Sequence, residues 1–91
     1  MILLNSSEIQ RELESLNGWI KQGNEIRKNF EFNDFVYAMA FVHSVALLAE
    51  RANHHPDIDI RWNKVTLTLS THSEGGLTEK DFKLAKQFDR L

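Results

Sequence analysis

The chain has 91 residues, 42% hydrophobic and 26% charged, with one proline and four glycines; this is ordinary globular composition, enough for one domain over 1–91 and too little for two. A net charge of −2 without any cluster of Lys or Arg excludes the electrostatic footprint of a nucleic-acid-binding protein. The lack of cysteine removes disulfides, thiolate nucleophiles and Cys-based zinc sites together, and agrees with a cytoplasmic location.

The opening Met1-Ile2-Leu3-Leu4 is apolar, but Asn5-Ser6-Ser7-Glu8 ends the run far short of a signal-peptide core. No stretch reads as membrane-spanning, so a soluble protein without a membrane partner is expected. Asn5 to Leu16 has the pattern of a short amphipathic helix: Asn5 or Ser6 can cap it, and Ile9, Leu13 and Leu16 share one face. Asn17-Gly18 is a suitable stop. Trp19–Gln22 and Glu25–Phe32 then form a hairpin around Gly23-Asn24. In its second strand Ile26, Lys28, Phe30 and Phe32 point one way, and Arg27, Asn29 and Glu31 the other.

Asn33 is the expected cap of a long helix running to about Asn53. Phe35, Met39, Val42, Ala46 and Ala49 make an apolar face, widened by Val36, Ala40, Leu47 and Leu48. Tyr37, Ser44 and Arg51, spaced by sevens, leave only a narrow polar stripe. A helix this apolar must bury more than one side, and another subunit is the expected second cover. His54-His55-Pro56 ends it, because proline disfavours α geometry in the preceding residue. Asp57–Trp62 and Val65–Thr71 form a second hairpin across Asn63-Lys64, with Ile58, Ile60, Val65, Leu67 and Leu69 facing inward. After the flexible Gly75-Gly76 turn, Thr78 and Asp81 resemble a capping box for a last helix that buries Phe82, Ala85 and Phe88. The order α-β-β-α-β-β-α implies an α+β fold: a four-stranded antiparallel sheet with three helices packed on one face.

Three of the four histidines fall at the ends of elements: His54 and His55 after the long helix, His72 after the last strand. If the sheet packs on that helix, the two ends meet at one rim. A cleft with several imidazoles suits proton transfer near neutral pH; the plainer alternative is that these are solvated surface histidines. Zinc on the three imidazoles with Glu50 is a further alternative. Adjacent side chains diverge, however, by about 100° on a helix or to opposite faces of a strand, so His54 and His55 converge poorly on one ion. No metal is expected. His43, in the middle of the long helix, reads as structural or as a subunit contact.

Three runs carry a resemblance. They are Glu50-Arg51-Ala52-Asn53-His54-His55-Pro56-Asp57, Trp62-Asn63-Lys64-Val65, and Ser70-Thr71-His72-Ser73-Glu74-Gly75-Gly76-Leu77-Thr78-Glu79-Lys80-Asp81. Together they resemble the signature of the pterin-4a-carbinolamine dehydratases. Trp19 and Phe32-Asn33-Asp34-Phe35 also fit, so the likeness extends along nearly the whole chain.

The resemblance implies a pterin substrate lying between His54, His55 and Pro56 on one side and Thr71, His72, Ser73 and Glu74 on the other. It implies a catalytic set of His54, His55 and His72, in which His54 and His72 form the acid/base pair and His55 leans towards binding. Glu50 and Asp81 would orient imidazoles, although helix capping alone explains Asp81. Trp19 is expected in the core rather than on the pocket wall. The implied reaction is dehydration of a 4a-hydroxytetrahydropterin to quinonoid dihydropterin and water, in support of tetrahydrobiopterin recycling. It needs no cofactor, metal or covalent nucleophile. The alternative is a non-catalytic dimerisation or scaffold module, acting as a transcriptional coactivator or assembly factor; the histidine set favours catalysis. A homodimer or homotetramer is expected in either case, joined through the long helix or the sheet edges.

Overall fold

The computed structural model describes residues 2–91; Met1, the start of the short apolar opening, lies outside them. The elements in order are α1 (Ser6–Glu14), β1 (Ile20–Gln22), β2 (Glu25–Glu31), α2 (Phe35–Ala52), β3 (Asp57–Arg61), β4 (Lys64–Leu69), one 3-10 turn (His72–Glu74) and α3 (Glu79–Asp89). The sheet runs β1-β2-β4-β3 with every neighbour antiparallel. This is the expected α+β arrangement.

Local chemistry sets the helix starts. Asn5 accepts from the Glu8 backbone N–H at 2.8 Å, and Glu8 accepts in return from the Asn5 N–H at 2.9 Å, a complete capping box. At α2 the cap is Asp34 rather than Asn33: its carboxylate accepts from Tyr37 N–H at 3.0 Å. A carboxylate satisfies the orphan donor and also meets the positive end of the helix dipole, an advantage Asn33 lacks.

The core lies between the sheet's inner face and the helices. Ile26 of β2 and Val65, Leu67 and Leu69 of β4 are buried, together with Ile9 of α1, Ala38, Phe41 and Val45 of α2, and Phe82, Ala85 and Phe88 of α3. Lys28 lies on the same face of β2 as Ile26 and is accommodated by pairing. Its ammonium is 2.9 Å from Asp89 Oδ1 and 4.8 Å above the Phe30 ring. The Trp19 indole N–H donates to the same Asp89 carboxylate at 3.0 Å. Trp19 is therefore a core residue that ties the first hairpin to the end of α3.

Three further expectations need correction. The second hairpin turns at Trp62-Asn63, one residue earlier than expected, with Trp62 in the left-handed region at φ 52°. Asn63 holds it there: its side-chain amide donates to the Phe32 carbonyl at 2.8 Å, and its own carbonyl accepts from Phe32 N–H at 2.9 Å. The second correction concerns which face of α2 is buried. Ala38, Phe41, Val45 and Ala49 face the sheet, whereas Phe35, Val36, Met39 and Leu47 are exposed. Apolar residues occur almost all round this helix, so periodicity alone cannot pick the buried side, and the small Ala38 and Ala49 allow the closest approach. Finally, α2 is long and apolar enough to cross a membrane by length and composition, contrary to the expectation that no segment would be. Its Ala38–Ala49 stripe is instead packed into the core.

Candidate active site

The end of α2 and the end of β4 do meet. Asn53 closes α2 in the left-handed conformation at φ 51°, turning the chain sharply so that His54 leaves the helix towards the sheet. The β3–β4 register pairs Asp57 with Thr68.

The two segments are joined through Asp81, which has no solvent exposure. His54 Nε2 lies 2.6 Å from Asp81 Oδ1, and the His54 side chain is only 11% exposed. Asp81 Oδ2 accepts from Thr71 Oγ1 at 2.8 Å and from the Thr78 N–H at 2.9 Å. The Thr71 and Thr78 hydroxyls are 2.8 Å apart. Since a hydroxyl has one proton and Thr71 gives its own to Asp81, Thr78 must donate to Thr71. The donors thus run in one direction, Thr78 to Thr71 to Asp81. Asp81 also completes the expected capping box of α3 with Thr78. Capping and imidazole orientation are two uses of one carboxylate, not alternatives.

With Asp81 ionised, the proton between the pair sits on His54 Nε2. Nδ1 is then the ring nitrogen the carboxylate leaves unheld, the arrangement by which a carboxylate fixes an imidazole tautomer.

The remaining expected residues divide by exposure. His55 Nε2 is 2.8 Å from Glu50 Oε2, but the two side chains are 58% and 81% exposed, so this pair is solvated. His72 is exposed and begins the 3-10 turn directly after Thr71. Thr71 itself is buried, and its backbone bridges to Gly76, with Thr71 N–H donating to the Gly76 carbonyl at 2.8 Å. That bridge closes a tight loop carrying His72, Ser73 and Glu74, and Gly75 adopts φ 74° to complete it. Pro56 is half-buried at the start of β3. The structure therefore links His54, Asp81, Thr71 and Thr78 by direct bonds, and sets His55 with Glu50, and His72, on exposed flanking positions.

A groove of about 290 Å³ opens beside His54, between the end of α2 and the start of α3. Its walls are Leu48, Arg51, Ala52, Lys80, Lys83, Leu84 and Gln87. Sequence reasoning gave none of these a place at the site: they come from two helices some thirty residues apart, and only helix packing brings them together. The one available signal was a pair of lysines, Lys80 and Lys83, spaced as neighbours on a helix face.

The fold and site together define a small α+β layer domain with a carboxylate-held histidine at the junction of helix and sheet. Comparison with known proteins narrows it. The family model for pterin 4 alpha carbinolamine dehydratase matches residues 2–91. A Roseiflexus castenholzii protein is 63% identical over 89 residues, covering 98% of this chain and 96% of its own length. One from Acidobacterium capsulatum is 54% identical over 91 residues, covering 100% and 99%. Both are provisionally named pterin-4-alpha-carbinolamine dehydratases. A crystal structure of a transcriptional coactivator/pterin dehydratase from Brucella melitensis superposes with a TM-score of 0.95 at 40% identity, covering 98% of this chain and 97% of that one. A pterin dehydratase-like protein identified as a RuBisCO assembly factor in the alpha-carboxysome gives 0.65 at 25% identity, covering 79% and 83%. The chain belongs to the pterin-4a-carbinolamine dehydratase family.

Proposed function

We propose that this protein is a soluble, cytoplasmic 4a-hydroxytetrahydropterin dehydratase working in tetrahydrobiopterin recycling. In the reaction the C4a–O bond breaks as the hydroxyl is protonated and leaves as water. The N5 lone pair forms the C4a=N5 double bond, and the N5 proton is then lost to a base. The substrate supplies the electronic push itself, so the protein needs only a placed proton donor and acceptor, which contribute on the order of 10²–10⁴-fold.

The observation that carries this reading is the 2.6 Å contact of His54 Nε2 with a carboxylate shut off from water. That contact holds one ring nitrogen and leaves Nδ1 to exchange protons with a ligand. His72, carried by the loop after Thr71, is the partner in acid/base exchange. In this reading His55, Pro56, Ser73 and Glu74 bind the ring, and Glu50 steadies His55. Thr71, whose hydroxyl is already engaged, acts by positioning Asp81 rather than by touching the substrate through its side chain. Disappearance of the carbinolamine's ultraviolet absorbance tests the proposal. Wild type should outrun the spontaneous reaction, and His54→Ala and His72→Ala should each lose most of that gain. A wild-type rate no greater than the spontaneous one would end the enzymatic reading.

The alternative reading, a scaffold for other proteins, would use the outer face of α2. Val36 and Leu47 there are 73% and 61% exposed, in line with Ala40 and His43 at spacings of four, three and four. Such a stripe matches the seam of a helix pair. We assign it to another copy of this chain, giving a homodimer or homotetramer, which leaves the histidine site free to work.

A further inference from the structure

The groove beside His54 has an unusual charge. Arg51, Lys80 and Lys83 all border it, and its other lining residues are Leu48, Ala52, His54, Leu84 and Gln87, so no carboxylate faces it. Among the described residues the ion pairs of Lys and Arg are Lys28–Asp89, Arg61–Asp59 and Lys86–Glu12. None of the three groove cations has a carboxylate within salt-bridge distance. Three unpaired cations therefore gather at one concavity of a chain whose net charge is −2.

Helix electrostatics sharpens the point. Lys80 and Lys83 lie in the first two turns of α3, where the helix dipole disfavours positive charge. The neighbouring groove, which Lys80 and Lys83 also border, has two carboxylates on its wall, Glu79 and the Glu12 that pairs with Lys86. The His54 groove holds no such compensation, and an anion there would supply it.

We infer that this groove takes a phosphate group carried on the side chain of the pterin, so that the His54 site serves a phosphorylated pterin in preference to a neutral one. The inference rests on the dehydratase reading given above and adds the substrate class. Phosphate fits better than a single carboxylate because a phosphomonoester carries close to two negative charges at neutral pH and offers three strong acceptor oxygens. The Arg51 guanidinium can grip two of those oxygens at once, and the lysines add point charge. Leu48 and Leu84 leave an apolar floor for the carbon chain that joins phosphate to ring.

The test compares the binding of dihydroneopterin and dihydroneopterin monophosphate, which differ by the phosphate alone, with inorganic phosphate as a third ligand. Wild type should bind the phosphate ester about tenfold or more tightly than the neutral pterin, with the margin shrinking as salt is raised. In Arg51→Gln and in Lys80→Gln/Lys83→Gln the ratio of the two affinities should fall towards one. Equal wild-type affinity for both pterins would overturn the inference and leave the dehydratase reading standing. Binding of neither pterin would overturn that reading and the inference with it. If inorganic phosphate bound as tightly as the ester, the groove would be a site for the free anion, and the substrate assignment would fail.

Discussion

His54 and Asp81 stand 27 positions apart in the chain, yet the imidazole Nε2 lies 2.6 Å from a carboxylate oxygen that also belongs to the capping box of α3. One residue thus starts a helix, anchors the end of a strand through Thr71 and sets the orientation of the ring proposed to exchange protons. Loss of Asp81 should therefore damage stability and turnover together. Asp81→Ala leaves Thr71, Thr78 N–H and His54 without their acceptor in a buried site, and should cost about 2–4 kcal/mol. Urea unfolding measures it, and a cost below about 0.5 kcal/mol would contradict the network described.

Thr71→Val keeps the shape and removes one hydroxyl. The Asp81 carboxylate then loses one of its three donors and Thr78 loses its acceptor, for a cost of about 1–2 kcal/mol. Because Thr71 is proposed to act through Asp81, the variant should shift the pH–rate profile, and Thr71→Ser should restore it. An unchanged profile with lowered stability would make Thr71 purely structural.

The two adjacent histidines should behave differently. His55 and Glu50 form a solvated pair, so His55→Gln should change stability by less than about 0.5 kcal/mol. A rise in KM in that variant would report a contact with ligand, since the fold is unaffected. His54→Gln, by contrast, disturbs a buried bond and should lower both the midpoint of unfolding and kcat. Equal effects from the two substitutions would refute the distinction.

The outer stripe of α2 gives a separate expectation. Leu47→Glu places a charge on a position that is 61% exposed in the isolated chain, so the fold should survive. Light scattering should show wild type at two or four times the chain mass and the variant shifted towards the monomer. A wild-type monomer would remove the proposed self-association.

Trp19→Phe tests the other end of the core. It removes the indole donor to Asp89 while Lys28 remains paired there, and should cost roughly 1–2 kcal/mol without altering turnover. A loss of activity at unchanged stability would move Trp19 from the core to the ligand pocket.

Much of this protein is written in short-range terms. The alternation of Ile26 with Phe30, and of Val65, Leu67 and Leu69, marks strands because successive side chains point to opposite faces. The Asn5–Glu8 and Thr78–Asp81 pairs mark helix starts because capping acts over three residues. The histidine runs, read with their neighbours, indicate the family. Other features depend on contacts made across the fold. Which side of α2 is buried was undecidable from an almost uniformly apolar helix, and was settled by where Ala38 and Ala49 let it approach the sheet. That Asp81 serves His54 as well as its own helix, and that Arg51 meets Lys80 and Lys83 around one groove, follows from packing α3 against the end of α2. Residues about thirty positions apart become neighbours only when their elements pack, and no local pattern in the chain encodes that distance.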